Sequence, residues 1–451
     1  MPVTRNQWKQ LYAAFDPSRR LEATDTDLFV VRPGAVAREI ADDLQLETTG
    51  KWVVCGSMGS GKSSELAHLG GLLERDYAVI GLDLPNTVAS IDRIQPAEVL
   101  FLIGLAAIRA ARDLWDHKIG DNVAEQLLTA LRPLLDRAPH EKTKFELQPS
   151  DLLQGVALFA ANLAAPGQAA AAGAAGAGAR ALGSVLKNKL PLHRPTPLSG
   201  ITRPVHDGEP DLVRLQEAVD RVLDEVAAVR TPIVLVDGLD KIQDLASIRR
   251  MFSTSRILSL PRKPVVYTGP ITLMLATEWQ AAGGQFQRKR LTNVVTRRPE
   301  LGGVELSEGK IAAGRAALHQ VIEKRLALED LSVAEVFEGD CVGALIETSG
   351  GLLRDLIHLV NRTVRLAFAD NAPHATPALV EAAISELRKE YEITMNGRRR
   401  EELAYVRAHG EPSGKSDVSP ELLLGGYILP YSNGRIWFEP HPILRDGAAR
   451  A

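Results

Sequence analysis

CGSMGSGKSS, residues 55–64, decides how the rest of this 451-residue chain is read. Gly56 and Gly61 stand five positions apart, and the second is followed directly by Lys62 and Ser63. The flanks matter as much as the stretch itself. KWVVC before it is a short apolar run, which reads as a buried strand. KSSELAHLGGLLERD after it carries apolar residues at helical spacing. Strand, glycine-rich turn and helix form the context in which a GxxxxGK[ST] pattern cradles phosphate. The residue types follow from that task. Glycines let successive backbone N–H groups wrap an anion, and the helix starting near Lys62 adds its positive end. Lys62 then reaches the β- and γ-phosphates, and the Ser63 hydroxyl is a ligand for Mg²⁺. Gly56, Ser57, Met58, Gly59, Ser60, Gly61, Lys62, Ser63 and Ser64 are therefore the candidate nucleotide-binding residues.

Such a loop requires carboxylate for the metal from a second element. PIVLVDGLD, residues 232–240, supplies it: an apolar run, then Asp237, then Asp240. Asp237 at the strand's end is the expected second holder of Mg²⁺, through water. Asp240 is the candidate for polarising the attacking water; its bland alternative is a helix N-cap. A further strand, VVYTGP, ends in Thr268, which could orient that water or simply cap the next helix.

Composition limits the alternatives. With 45% hydrophobic and 24% charged residues the chain has ordinary globular make-up and can bury a sizeable core. A net charge of −3 gives no global pull toward nucleic acid. Cys55 and Cys341 sit in no CxxC or Cys/His cluster, so neither a disulfide framework nor zinc is expected. The N-terminal stretch has no apolar core with a cleavage site, which makes the cytoplasm the expected location. Alternating buried strands and helices, including YAVIGLDL and PAEVLFLIGLAAIRAARDLWDHK, predict an α/β fold with a largely parallel sheet. Residues 152–179 carry no charged side chain, and a proline-rich stretch follows. Within it LLQGVALFAANLAA, ~14 residues, falls short of the ~20 that a helix needs to cross a bilayer, so no membrane partner is expected. After about residue 300 the pattern is helical, near 311–328, 339–348, 351–369, 376–395 and 397–409. Two alternating runs around Asn433-Gly434 then predict a hairpin. The expected organisation is a helical extension over 1–30, an α/β domain with the phosphate-loop pattern over 31–300 and an insertion at 150–210, a helical region over 301–372 and a winged helix over 373–451.

GSMGSGKS, IVLVDGLDK, VVYTGP and SGGLLRDLIHL together resemble a P-loop ATPase of the STAND/AAA+ kind. The resemblance covers roughly residues 30–150 and 210–445. It implies a P-loop NTPase fold followed by a helical lid and a winged helix. Carried over, Arg354 is the lid residue that reaches the γ-phosphate, although Leu353 stands where the family usually has proline. Lys241 likewise stands where an acid is common. Arg288, Arg290, Arg297 and Arg298 are the candidates for an arginine donated to a neighbouring subunit, with a solvated basic face as the preferred reading. The implied function is a Mg²⁺-dependent ATP switch that couples nucleotide state to conformation or homo-oligomeric assembly. Bacterial signalling or antiviral defence is the implied setting, with a separate protein partner as sensor or effector. The rival is an origin-recognition-like ATPase that binds DNA through its winged helix. It is placed second because acids are interleaved with the arginines of RRREELAYVR.

Overall fold

The computed structural model describes residues 2–136, 207–275, 284–300, 304–414 and 418–445, except positions 20, 22–24, 26 and 89. The Ala/Gly-rich insertion read at 150–210 lies outside the described residues up to residue 206.

Five parallel strands form one sheet: β1 (Lys51–Gly56), β2 (Ala78–Asp83), β3 (Pro232–Asp237), β4 (Val265–Pro270) and β5 (Gln287–Leu291). Their order is β2-β3-β4-β1-β5. Every residue of β1 and β4 is buried, as expected for strands covered on both faces. Successive side chains alternate between the faces. Trp52 and Val54 join Val266, Ile233 and Leu235 under α2 (Ala37–Leu46) and α3 (Lys62–Leu73). Val53 and Cys55 join Val234, Val236, Val265 and Tyr267 on the other face. There they meet α4 (Pro96–Trp115), α5 (Asp121–Asp136) and α6 (Pro210–Val226). Burial of each large aliphatic side chain in these layers contributes ~1.5–3 kcal/mol.

The basic stretch 286–299 turns out to contain an edge strand. β5 pairs with β1 in parallel, with Gln287 opposite Trp52 and Leu291 opposite Gly56. Arg288 and Arg290 are exposed, while Lys289 reaches Glu39 and Asp43 of α2 at 2.5 and 2.6 Å. Arg297 and Arg298 are committed elsewhere, to Glu439 and Glu308 respectively. Charged side chains on an edge strand are a standard way to discourage sheet extension; Arg288, Arg290 and Arg298 face solvent as a solvated basic face requires, whereas Arg297, with a side chain only 10% exposed, does not.

The second half of the chain builds its own core. α7 (Glu308–Leu326), α8 (Cys341–Thr348), α9 (Leu353–Ala369) and α10 (Pro377–Ile393) pack together. α11 (Gly397–His409), α12 (Val418–Leu424) and the antiparallel hairpin β6 (Ile428–Asn433) and β7 (Arg435–Pro440) complete it. At the hairpin tip Asn433 pairs with Arg435, and Gly434 at φ +81° makes the turn. The first helix, α1 (Arg5–Ala14), lies in the stretch 1–30 whose pattern reads as a helical extension. Trp8, Leu11 and Phe15 instead belong to this helical core, and the Trp8 indole donates to the Ala372 carbonyl at 2.9 Å. The N-terminus is thus fixed by residues more than three hundred positions away, which no local pattern discloses.

Candidate nucleotide site

The loop from Gly56 to Lys62 leaves the carboxyl end of β1, where open α/β sheets hold their ligands. Two of its residues take the left-handed conformation, Gly59 at φ +88° and Gly61 at φ +96°. Only glycine adopts these angles freely. The turns bring the chain directly into α3, whose first turn carries Lys62, Ser63 and Ser64. Lys62 is buried. Its ammonium donates to the carbonyls of Gly56 at 2.9 Å and Ser57 at 2.7 Å, and faces the Asp240 carboxylate at 2.9 Å.

Asp240 lies in a tight turn, Leu239–Lys241, entered through Gly238 at φ +105°. It caps no α-helix. That role falls to Asp244, which accepts from the Ser247 amide, so the bland alternative for Asp240 is excluded. Asp237 ends β3 and is half-buried. β3 is not the immediate neighbour of β1, because β4 runs between them. β4 runs on to Pro270, two residues past Thr268, which is fully buried and accepts the Gly238 amide at 2.8 Å. The Thr268 hydroxyl thus ties β4 to the acidic turn. Pro270, not Thr268, precedes the next helical turn, so the capping alternative is excluded here as well.

Arg354 arrives from the other half of the molecule. It is the second residue of α9, whose N-cap, Leu352, offers no side-chain cap. The Arg354 amide donates instead to the Gly59 carbonyl at 3.1 Å. The glycine-rich loop therefore satisfies one of the free donors at the start of α9. The packing is as close as glycine permits: a Cβ on Gly59 would lie 2.4 Å from the Arg354 Cβ, and one on Gly61 would lie 2.8 Å from Leu353 Cδ1.

A nucleotide fits these residues. Ser57 Oγ, Ser60 Oγ and Asp240 Oδ1 are buried without a protein hydrogen-bond partner, and buried polar groups ordinarily find one. Burial pushes the Cys55 thiol up to about 12, against the pull of Lys62, so this cysteine behind the loop is no nucleophile at neutral pH.

Two residues escaped the sequence reading. Asp83 ends β2 directly opposite Asp237. Its signal was present, since GLD closes an apolar strand as LVD does. Glu65, in the first turn of α3, accepts the amides of Val36 and Ala37 at 2.9 and 3.0 Å. It caps α2, and buried Arg32 stands 4.0 Å away. Nothing in the sequence announced that pairing.

Parallel strands, a GxxxxGKS turn between β1 and α3, and an acid-bearing strand one place removed identify a P-loop NTPase fold. No family model matches the chain, and no curated protein matches it. Among solved structures it is similar to the Drosophila ORC bound to DNA, at 12% identity over 99% of this chain and 92% of that one, with a TM-score of 0.39. The Aeropyrum pernix Orc1 protein in complex with DNA is similar at 13% identity over 94% and 95%, TM-score 0.37. The Thermotoga maritima RuvB Holliday junction branch migration motor is similar at 14% over 50% and 80%, TM-score 0.25. At such identities and TM-scores these likenesses carry no weight for function, and the fold stands on strand order and loop geometry.

Proposed function

We propose that the chain is an ATPase of AAA+ type that binds ATP with Mg²⁺ at the Gly56–Ser64 loop and acts as a STAND-like switch. The observation that supports this most is the buried Lys62–Asp240 pair beside two left-handed glycines at the start of α3. A buried ammonium held by two loop carbonyls and a carboxylate is already desolvated and oriented, and a polyphosphate can exchange for those partners. In this reading the loop amides and the positive end of α3 bind the phosphates. Ser63 and Asp237 hold the metal, which when bound neutralises charge on the transferring phosphoryl oxygens. Asp240 Oδ1 accepts the proton side of an attacking water, and Thr268, its oxygen engaged with the Gly238 amide, keeps its own proton to offer that water. Arg354 supplies positive charge from the lid.

The switch part rests on the contact between Arg354 and Gly59, because through it a lid can respond to what the loop holds if ATP and ADP interact differently with its two positions. A homo-oligomer and a separate sensor or effector protein belong to the same reading, as does a setting in bacterial signalling or defence. An origin-recognition-like ATPase that binds DNA through its winged helix stays second: Arg399 near the start of α11 is engaged with Glu421, the Thr394 carbonyl and the Tyr427 ring. The test is titration of the purified chain with MgATP, followed by turnover, for wild type, Lys62→Ala and Asp240→Asn. Lys62→Ala should lose affinity, and Asp240→Asn should bind but not turn over. Unchanged affinity and turnover in Lys62→Ala sink the proposal. Native mass measurement with ADP and with a non-hydrolysable ATP analogue then tests whether assembly follows the nucleotide.

A further inference from the structure

Arg354 meets the phosphate loop, but the residue after it faces a different side of the helix. Successive helical residues diverge by ~100° around the axis. Asp355 accordingly turns into the interior, only 4% exposed, toward the C-terminal hairpin. Its Oδ2 accepts the Tyr391 hydroxyl of α10 at 2.7 Å and lies 3.1 Å from Nε2 of His441, the residue that follows β7. His441 is fully buried. Its Nδ1 accepts the Ile443 amide at 3.1 Å. That bond leaves the ring proton on Nε2, which lies against the Asp355 carboxylate at 3.1 Å but off the line of a directed hydrogen bond. The His441 ring also stacks on Tyr391, with centroids 4.9 Å apart.

The hairpin grips the approach to α9 at a second point. The Tyr431 hydroxyl donates to the Gly350 carbonyl at 2.7 Å. A Cβ on Gly350 would lie 2.7 Å from both Leu429 and Pro442, and one on Gly351 would lie 1.8 Å from the Val294 carbonyl. Residues 350–355 therefore run between the hairpin on one side and the phosphate loop on the other, with no slack in between. Since α9 has no side-chain cap of its own, where its first turn sits is decided by these two neighbours.

We propose that Asp355, gripped by His441 and Tyr391, is a positioning residue for Arg354, so that docking of the C-terminal hairpin sets whether the lid engages the nucleotide loop. Movement of the hairpin then changes the site without touching the nucleotide, and nucleotide occupancy pulls on the hairpin in return. A partner that displaces the hairpin is thereby able to release the lid.

The experiment uses the full chain and has a part that needs no nucleotide; only its kinetic part rests on the ATPase reading. Amide hydrogen exchange is followed at residues 56–64 and 350–356 without nucleotide. The variants are His441→Phe, which keeps a ring but no donor, His441→Gln, which keeps a donor on a side chain of similar reach, and Tyr391→Phe. His441→Phe should speed exchange of the Arg354 amide and the phosphate loop about tenfold, and His441→Gln should restore most of the protection. Tyr391→Phe removes one of the two grips and should give a smaller increase, about threefold; it decides the matter should His441→Phe fail to fold. Wild-type exchange at both segments in Tyr391→Phe and His441→Phe overturns the proposal, and so does a Gln variant as exposed as Phe. With MgATP, His441→Phe should lower kcat more than it changes KM, and should add nothing to Arg354→Ala. Additive losses mean that the hairpin acts by another route and overturn the positioning role. A wild-type chain that binds no MgATP would defeat the ATPase reading but leave the exchange comparison intact.

Discussion

Lys62 is buried with its charge matched by Asp240. Removal of one member of such a pair leaves the other uncompensated, at a cost of ~3–5 kcal/mol. Lys62→Ala should therefore lower stability in a denaturant titration as well as abolish nucleotide affinity, and Lys62→Ala with Asp240→Asn should recover part of the stability but none of the affinity. Thr268 is a second sharp case. Thr268→Val fills the same volume but leaves the buried Gly238 amide without its acceptor, which costs ~1–3 kcal/mol. Thr268→Ser should retain that bond and most of the stability, and equal loss in both variants would show that the hydroxyl is not what matters. Glycine 59 cannot be replaced quietly. An alanine there must hold φ near +88° and press on Arg354, so Gly59→Ala should free the Arg354 amide, read as faster hydrogen exchange at that position.

The hairpin's attachment is electrostatic as well as apolar. Glu439 on β7 accepts from Arg297 at 2.7 Å and from the Glu300 amide at 2.9 Å, and Glu300 in turn meets Arg407 and Arg445 at 3.5 and 2.5 Å. Burial pushes the Glu439 carboxyl up, with Arg297 as the main opposing pull. Arg297→Met removes that pull, so the carboxyl rises further and takes up a proton more readily in the folded state. The variant should be destabilised by ~3–5 kcal/mol at neutral pH, and the loss should shrink as pH falls. Melting curves of variant and wild type across a pH series check the sign. A penalty that grows with acidity contradicts it. Helices α2 and α9 show the same dependence on neighbours: neither has a side-chain N-cap, and each borrows one, from Glu65 and from the Gly59 carbonyl.

Among the described residues, two depressed histidines contribute to the response to mild acid. Burial lowers His358, with Arg362 and Arg354 adding repulsion and Asp355 opposing. Burial likewise lowers His68, which stacks on Phe29 at 4.0 Å. Each binds its proton more readily when unfolded, near the usual 6.5, than when folded. Stability therefore falls as pH drops below 6.5 toward the folded values. Thermal melts taken from about pH 7.5 to about pH 5.5 should show the decline, and His358→Gln should flatten part of it. Asp355 acts in a lower range. Burial alone would raise it, yet His441 and Tyr391 outweigh that and leave it below 3.8. Its contribution is present above 3.8 and is lost only as pH falls through the lower folded value.

Residues 55–64 and 232–240 could be read directly because their chemistry is local. A phosphate loop must have glycine, lysine and serine at set intervals, and a buried strand that ends in acid stands out against its apolar neighbours. Helix positions in the second half and the Asn433-Gly434 hairpin were legible for the same reason, since periodicity and turn residues act over a few positions. What no local pattern could supply was contact between distant stretches: α1 in the helical core, the edge strand hidden among arginines, Glu65 capping α2, and Asp355 held by His441. Those pairings depend on which surfaces meet once the chain has closed. Burial and desolvation, which turn an ordinary His, Asp or Tyr into a fixed partner, exist only after that closure.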